Sequence, residues 1–149
     1  MPPTEARSGF GTLFQRGDGA TPTETFATVA EVRNISGPNI TRDTDDATHM
    51  ESTNGWREYI STLRDGGEVT LELNLAPSST NAGNLFADLS DDTARNYRLA
   101  FPATGGGTAK RFSFAAFQTA ASPTSPHDGR MAMSATFKIT GEPIFEDVS

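Results

Sequence analysis

The chain contains no cysteine. A disulfide-stapled scaffold, a Cys-ligated zinc site and a thiolate nucleophile are therefore excluded. Histidine is scarce: His49 and His127 lie far apart in polar segments, at no spacing suited to a metal. Cations are the minority charge, with 12 Lys and Arg against 19 Asp and Glu for a formal net charge of −7. Tight nucleic-acid binding needs a dense basic surface that displaces counterions, and this composition does not offer one. It fits a soluble protein, or one that must let a polyanion pass without sticking. No apolar run approaches the roughly 20 residues of a membrane helix, and residues 1–9 carry no apolar signal-peptide core. The chain reads as made in the cytoplasm, with no membrane anchor.

Catalytic patterns are missing as well. No Gly-x-Ser-x-Gly elbow is present. Gly105-Gly106-Gly107 lacks the Lys-Ser or Lys-Thr of a phosphate loop and reads as a hairpin turn. The acidic run Asp43, Asp45, Asp46 has Ala47 where a calcium loop needs its central Gly, so it reads as solvated or subunit-facing charge. Glu68 and Glu72 share one strand face, as paired carboxylates of a glycosidase would. Nothing else supports that chemistry, and the reading is a polar outer face.

What is present points to β structure. Thr occurs 20 times and Ser 12 times, favouring strands and turns, and hydrophobic residues make up only 35% of 149. Strands are expected at 11–16 and 25–35, the second with imperfect alternation that a bulge or two covered faces would produce. The clearest strand is 68–75, with Val69, Leu71, Leu73 and Leu75 on one face and Glu68, Thr70, Glu72 and Asn74 on the other. Ser78-Ser79-Thr80-Asn81 offers helix caps, and Ala82, Leu85, Phe86 and Leu89 form one apolar helical stripe. Further strands are expected at 96–101, at 110–119 with a bulge near Phe117, and at 130–140, ended by Gly141 and Pro143. The expected architecture is a single mainly β domain over 1–149, flexible at 1–9: an antiparallel β-sandwich or partial barrel with one flanking α-helix.

The segment from Arg42 to Gly67 stands apart as a long extended loop. A connection of that length is usually functional or disordered, and its aromatics argue against simple disorder. Trp56, the only tryptophan, is either an interface anchor or a plug for the domain's own core.

From Arg42 to Leu75 the sequence "RDTDDATHMES…GWREYISTLRDGGEVTLELNL" resembles the major tail tube proteins of long-tailed bacteriophages and related gene transfer agents. "GTLFQRGDG", "LFADLSDDTARNYRLAFP" and "SATFKITGEP" extend the resemblance over nearly the whole chain in the same order. The resemblance implies a non-enzymatic structural subunit without cofactor or metal. Such subunits self-assemble into rings, typically hexameric, that stack into a tube through which DNA passes during genome ejection. Inner strands of neighbouring subunits join into one barrel around the channel, and the long loop reaches an adjacent ring or subunit. Tape measure, tail terminator and distal tail proteins are the implied partners, and the tail of a virion or gene transfer agent particle is the implied location. No C-terminal immunoglobulin-like domain is expected. On this reading Asp43, Thr44, Trp56, Arg57 and Glu58 serve ring or subunit contacts. Glu68 and Glu72 are candidates for the channel wall. The loop should be mobile in a free subunit and order in the tube. The alternatives are a tube or ring protein of a contractile tail or secretion system and, in a different class, a ligand-binding β-sandwich module.

Overall fold

A computed structural model describes residues 8–78, 80–103 and 109–148. The expected Gly105–Gly107 turn lies outside these residues, as do most of segment 1–9 and Ser79 of the cap cluster.

Seven antiparallel strands form one sheet. They are β1 (Leu13–Gly17), β2 (Phe26–Thr28), β3 (Val32–Ser36), β6 (Glu68–Asn74), β7 (Arg95–Ala100), β8 (Lys110–Thr124) and β9 (Ala132–Asp147). Their order is β2-β1-β7-β8-β9-β6-β3. A second, two-stranded sheet joins β4 (Thr41–Asp46) to β5 (Tyr59–Asp65). The helix α1 (Thr80–Asp88) connects β6 to β7.

The large sheet curls onto itself. In a flat sheet β1 and β9 would lie roughly 14 Å apart, three strand spacings. Yet the rings of Phe14 on β1 and Phe137 on β9 are 5.1 Å apart, and Tyr97 on β7 lies 4.7 Å from Phe137. The long strands make this possible. The first part of β8 pairs with β7, while its second part pairs with β9 alone. Register shifts between Ser113 and Ala115 and between Gln118 and Ala120 bend the strand where it passes from one layer to the other. The result is a β-sandwich merging into a partial barrel. Between β3 and the ends of β1 and β7 an open groove remains, lined by Leu13, Val32, Ile35 and Phe101.

The core follows the alternation. Val69, Leu71, Leu73, Leu99, Phe114, Met133, Ala135, Phe137 and Ile139 are buried. In α1 the stripe is narrower than its spacing suggests. Ala82 and Leu85 are buried, but Phe86 and Leu89 are about 40% exposed, and Asp88 takes the inward place one turn beyond Leu85. Arg16 donates two hydrogen bonds to the Asp88 carboxylate, at 2.8 and 2.7 Å, and the Tyr97 hydroxyl donates a third at 2.9 Å. Arg95 stands 3.3 Å away. Burial alone would raise the Asp88 pKa; the bonds from Arg16 and Tyr97 and the nearby arginine charges outweigh it and hold the carboxyl below its usual value. Burial and the Asp88 charge push the Tyr97 hydroxyl upward.

Three expectations are corrected. The 25–35 strand is two strands: Glu31 adopts a left-handed backbone (φ 61°) that ends the first run and resets the alternation. The last strand does not stop at Gly141 and Pro143; it continues to Asp147 and pairs with residues 110–113. The 42–67 segment is not a loop without secondary structure. Its strands β4 and β5 form a hydrogen-bonded ladder within the single chain. The hairpin leaves the body at Gly67, whose φ of 75° suits glycine and where a Cβ would collide with the Asn39 carbonyl.

Phe137→Ala should lower the unfolding free energy by about 3–5 kcal/mol in urea titrations, because the cavity opens between the layers. Asp88→Asn should lower it by about 3 kcal/mol, leaving half-buried Arg16 without its counter-charge and Arg95 with Asp91 alone. The depressed Asp88 pKa contributes stability above the unfolded carboxyl value, about 4, and this is lost as pH falls through the lower folded value. The Asn variant should therefore show a flatter acid limb in unfolding curves measured across pH.

Candidate assembly surfaces

Three kinds of surface remain unused by the fold: the hairpin, two strand edges and one polar sheet face.

Every residue of β4 and β5 is exposed, so the hairpin rests on its own hydrogen bonds rather than on the core. Its tip is closed by a local polar lock. The Ala47 amide donates to the Glu58 carbonyl and the Glu58 amide to Thr48 Oγ1, both at 2.8 Å. Ser52 Oγ donates to the Glu58 carboxylate, and His49 Nδ1 lies 3.3 Å from it. Arg57 donates to Asp46 at 3.1 Å. Bonds from the Thr48 hydroxyl and amide, with Arg57 beside them, hold the Asp46 carboxyl below its usual range. A short 3-10 turn, Thr53–Gly55, then delivers Trp56, which is 75% exposed and plugs no core of its own chain.

The structure thus divides the five expected contact residues. Arg57 and Glu58 shape the tip. Trp56 is presented by it. Asp43 occupies the register shift of β4, and Thr44 faces Ser61 across the ladder. The side chains of Asp43 and Thr44 have no hydrogen-bond partner among the described residues.

Glu68 and Glu72 lie elsewhere, on the outward face of β6. Across the ladders this face continues through Asn34 and Ser36 of β3, Ser134, Thr136 and Lys138 of β9, and Phe117, Ala120 and Ser122 of β8. Short hydroxyl, amide and methyl groups dominate it. Glu68 stands opposite Lys138, whose ammonium reaches Asp65 at 3.5 Å, so the face carries two carboxylates and one ammonium. The outer face of the other layer differs. There long charged side chains link to one another, with Arg111 and Ser113 donating to Glu146 at 2.9 and 2.6 Å. Arg98 lies 3.6 Å over the Phe26 ring.

The polar layer has two open edges. One is β3, terminal in the sheet. The other is residues 117–124 of β8, because β7 pairs only as far as Ala116. Neither edge was visible in the sequence, since pairing partners are set by the register of distant strands.

The body is thus a strongly curled sheet with one flanking helix, a projecting hairpin and two open edges. The family model described as the lambda phage tail tube protein matches residues 13–146. The chain belongs to the lambda phage tail tube protein family. The tail of an empty gene transfer agent particle, determined with C6 symmetry, contains a subunit similar to it at TM-score 0.68. That likeness has 21% identity and covers 95% of this chain and 99% of the other. A subunit from the virion of a native gene transfer agent is similar at TM-score 0.69 and 18% identity, over 95% and 99% of the two chains. The sheath/tube terminator of an extracellular contractile injection system reaches TM-score 0.71 at 13% identity, over 96% and 98%. No curated protein sequence matches the chain.

If the hairpin stands free of the body, Glu58→Ala should leave the melting temperature unchanged while raising hydrogen exchange at the Ala47 amide. A melting loss as large as that of the Asp88 variant would show instead that the hairpin supports the core.

Proposed function

We propose that the protein is the structural subunit of a tail tube, carried in the tail of a virion or gene transfer agent particle, and that it works by assembly rather than catalysis. The observation that carries this reading is the four-strand layer β3-β6-β9-β8, polar on its outward face and open at both edges. An exposed edge is a liability unless another strand covers it. Rotation about a tube axis brings the β8 edge of one copy beside the β3 edge of the next. Because the layer holds four strands, up and down alternate without interruption across that seam, and every strand stays antiparallel to its neighbours.

The similar gene transfer agent tail has C6 symmetry. Six copies joined in this way give a barrel of about 24 strands, well beyond the 16–18 that already leave an aqueous lumen. The polar face lines that lumen, with Glu68 and Glu72 on the wall. Its net charge is small, so the wall favours sliding through short, uncharged side chains as much as through repulsion of phosphates. Terminator, tape measure and distal tail proteins are the partners at the two ends. A contractile-tail tube protein shares the fold, and the family match over 13–146 favours the lambda type. A ligand-binding sandwich would need a cluster of exposed aromatics on one sheet face, whereas Phe117 stands alone on this one, and in the Phe101, Phe112 and Phe145 cluster only Phe145 is exposed, the other two packing against the core.

Concentrated protein viewed by electron microscopy should form rings or tubes; a strict monomer under all conditions, absent from any tail, would overturn the proposal. The lack of native cysteine allows a sharper test. Asn34→Cys combined with Ser122→Cys, treated with a short bis-maleimide, should give a ladder of covalent oligomers ending at the ring. Monomer alone would refute the edge pairing.

A further inference from the structure

Seven asparagines occur in the chain, and one of them, Asn54, is followed by glycine. The other six precede residues with a Cβ, which hinders attack by the following amide on the asparagine side chain. Asn54 and Gly55 lie in the short 3-10 turn Thr53–Gly55, which has no buried residue. Both adopt a left-handed backbone, at φ 54° and 71°. The Asn54 side chain has no hydrogen-bond partner among the described residues. Space around Gly55 is open, since a Cβ there would touch nothing within 4 Å. Two backbone bonds hold the turn. The Gly55 amide donates to the Ser52 carbonyl at 3.2 Å, and the Trp56 amide to the Thr53 carbonyl at 3.1 Å. An exposed element resting on such bonds opens readily.

We infer that Asn54 is a site of spontaneous deamidation. The Gly55 amide nitrogen attacks the Asn54 side-chain carbonyl carbon. A carbon–nitrogen bond forms, the bond to the side-chain nitrogen breaks, and that nitrogen leaves as ammonia with the proton given up by the Gly55 amide. Water then opens the cyclic imide at either carbonyl, leaving an aspartate or an isoaspartate at position 54. In the closed turn Asn54 has ψ 25°, which points the Gly55 nitrogen away from the Asn54 side chain. The attack therefore needs the turn to open, and the missing Cβ of Gly55 leaves the backbone free to do so. Asp-Gly pairs form the same imide, but at two of them the carboxylate is tied elsewhere. Asp18 accepts from the Ala20 and Thr25 amides, and Asp65 from the Gly67 amide. Either product adds a negative charge to a tip that already carries Glu51 and Glu58, in a chain at −7. Isoaspartate also inserts a methylene into the main chain between Thr53 and Trp56. The bond from the Trp56 amide to the Thr53 carbonyl is then lost, and the turn that presents Trp56 is reset. The modification accumulates with the age of the free subunit and does not depend on the tail tube reading.

The test uses the full chain, incubated at neutral and mildly alkaline pH and followed by mass spectrometry of its peptides. The peptide holding Asn54 should gain the mass difference between an amide NH2 and a hydroxyl, faster at higher pH because the attacking nitrogen must lose its proton. An isoaspartyl methyltransferase should label the same peptide. Asn54→Gln should lose both signals and melt like the parent. The rate in the folded protein should lie within about fivefold of the rate in urea, since local opening of the turn takes little free energy. Freshly prepared Asn54→Asp carries the new charge on an unaltered main chain. Hydrogen exchange at the Trp56 amide should therefore rise in the isoaspartate form and stay at the parent level in this variant. A constant mass, a gain at another asparagine in place of Asn54, or a folded-state rate below that range would overturn the inference. Unchanged exchange at Trp56 in the isoaspartate form would overturn the resetting of the turn.

Discussion

Phe137 is held between Phe14 and Tyr97, at 5.1 and 4.7 Å, and this contact ties the two layers of one curled sheet together. Everything else in the fold answers to it. The sheet must curl, so β8 and β9 must be long enough to serve both layers, at 15 and 16 residues. They must also bend, and the register shifts in β8 supply the bends. Once β8 has turned into the second layer, β7 can no longer follow it, and the edge at 117–124 is left bare. The packing that stabilises the subunit therefore also leaves bare the strand edge on which the proposed ring depends.

Strong and weak interactions are kept apart. The body holds its aromatic stack and the Asp88 carboxylate under three hydrogen bonds from Arg16 and Tyr97, with α1 pinned across the sheet. Apart from Lys138 reaching Asp65 at its base, the hairpin is held by its own ladder and an exposed polar lock, whose ion pairs are worth little in water. Such an element costs the free subunit little to deform and gains most from a partner that covers it. A subunit that is firm in its body and adaptable at its projection can present fixed strand edges while fitting a neighbouring surface.

Much of this was legible from alternation alone. The inward residues of β6, β7 and β9 follow period two, because one face of each is buried and the other is not. The helix was legible from Ala82 and Leu85, but not the inward turn of Asp88, since a carboxylate goes inside only where distant Arg16 and Tyr97 wait for it. The hairpin was missed because β4 and β5 are exposed on both faces and carry no hydrophobic alternation to mark them as strands. The extension of β9 past Gly141 and Pro143 was missed because two strong breakers stand in a strand whose pairing with residues 110–113 overrides local preference.

Composition and local pattern by themselves determined that this is a β-rich chain without cysteine chemistry, that one strand pairs a polar with an apolar face, and that its motifs follow the order of tail tube proteins. Only the tertiary structure decided which edges stay open, that Arg42 faces Arg64, and that the Arg42 to Gly67 segment is a hairpin. Alternation along a strand reports the contrast between its own two faces. Edges and cross-strand neighbours depend on residues dozens of positions away, and no local pattern encodes them.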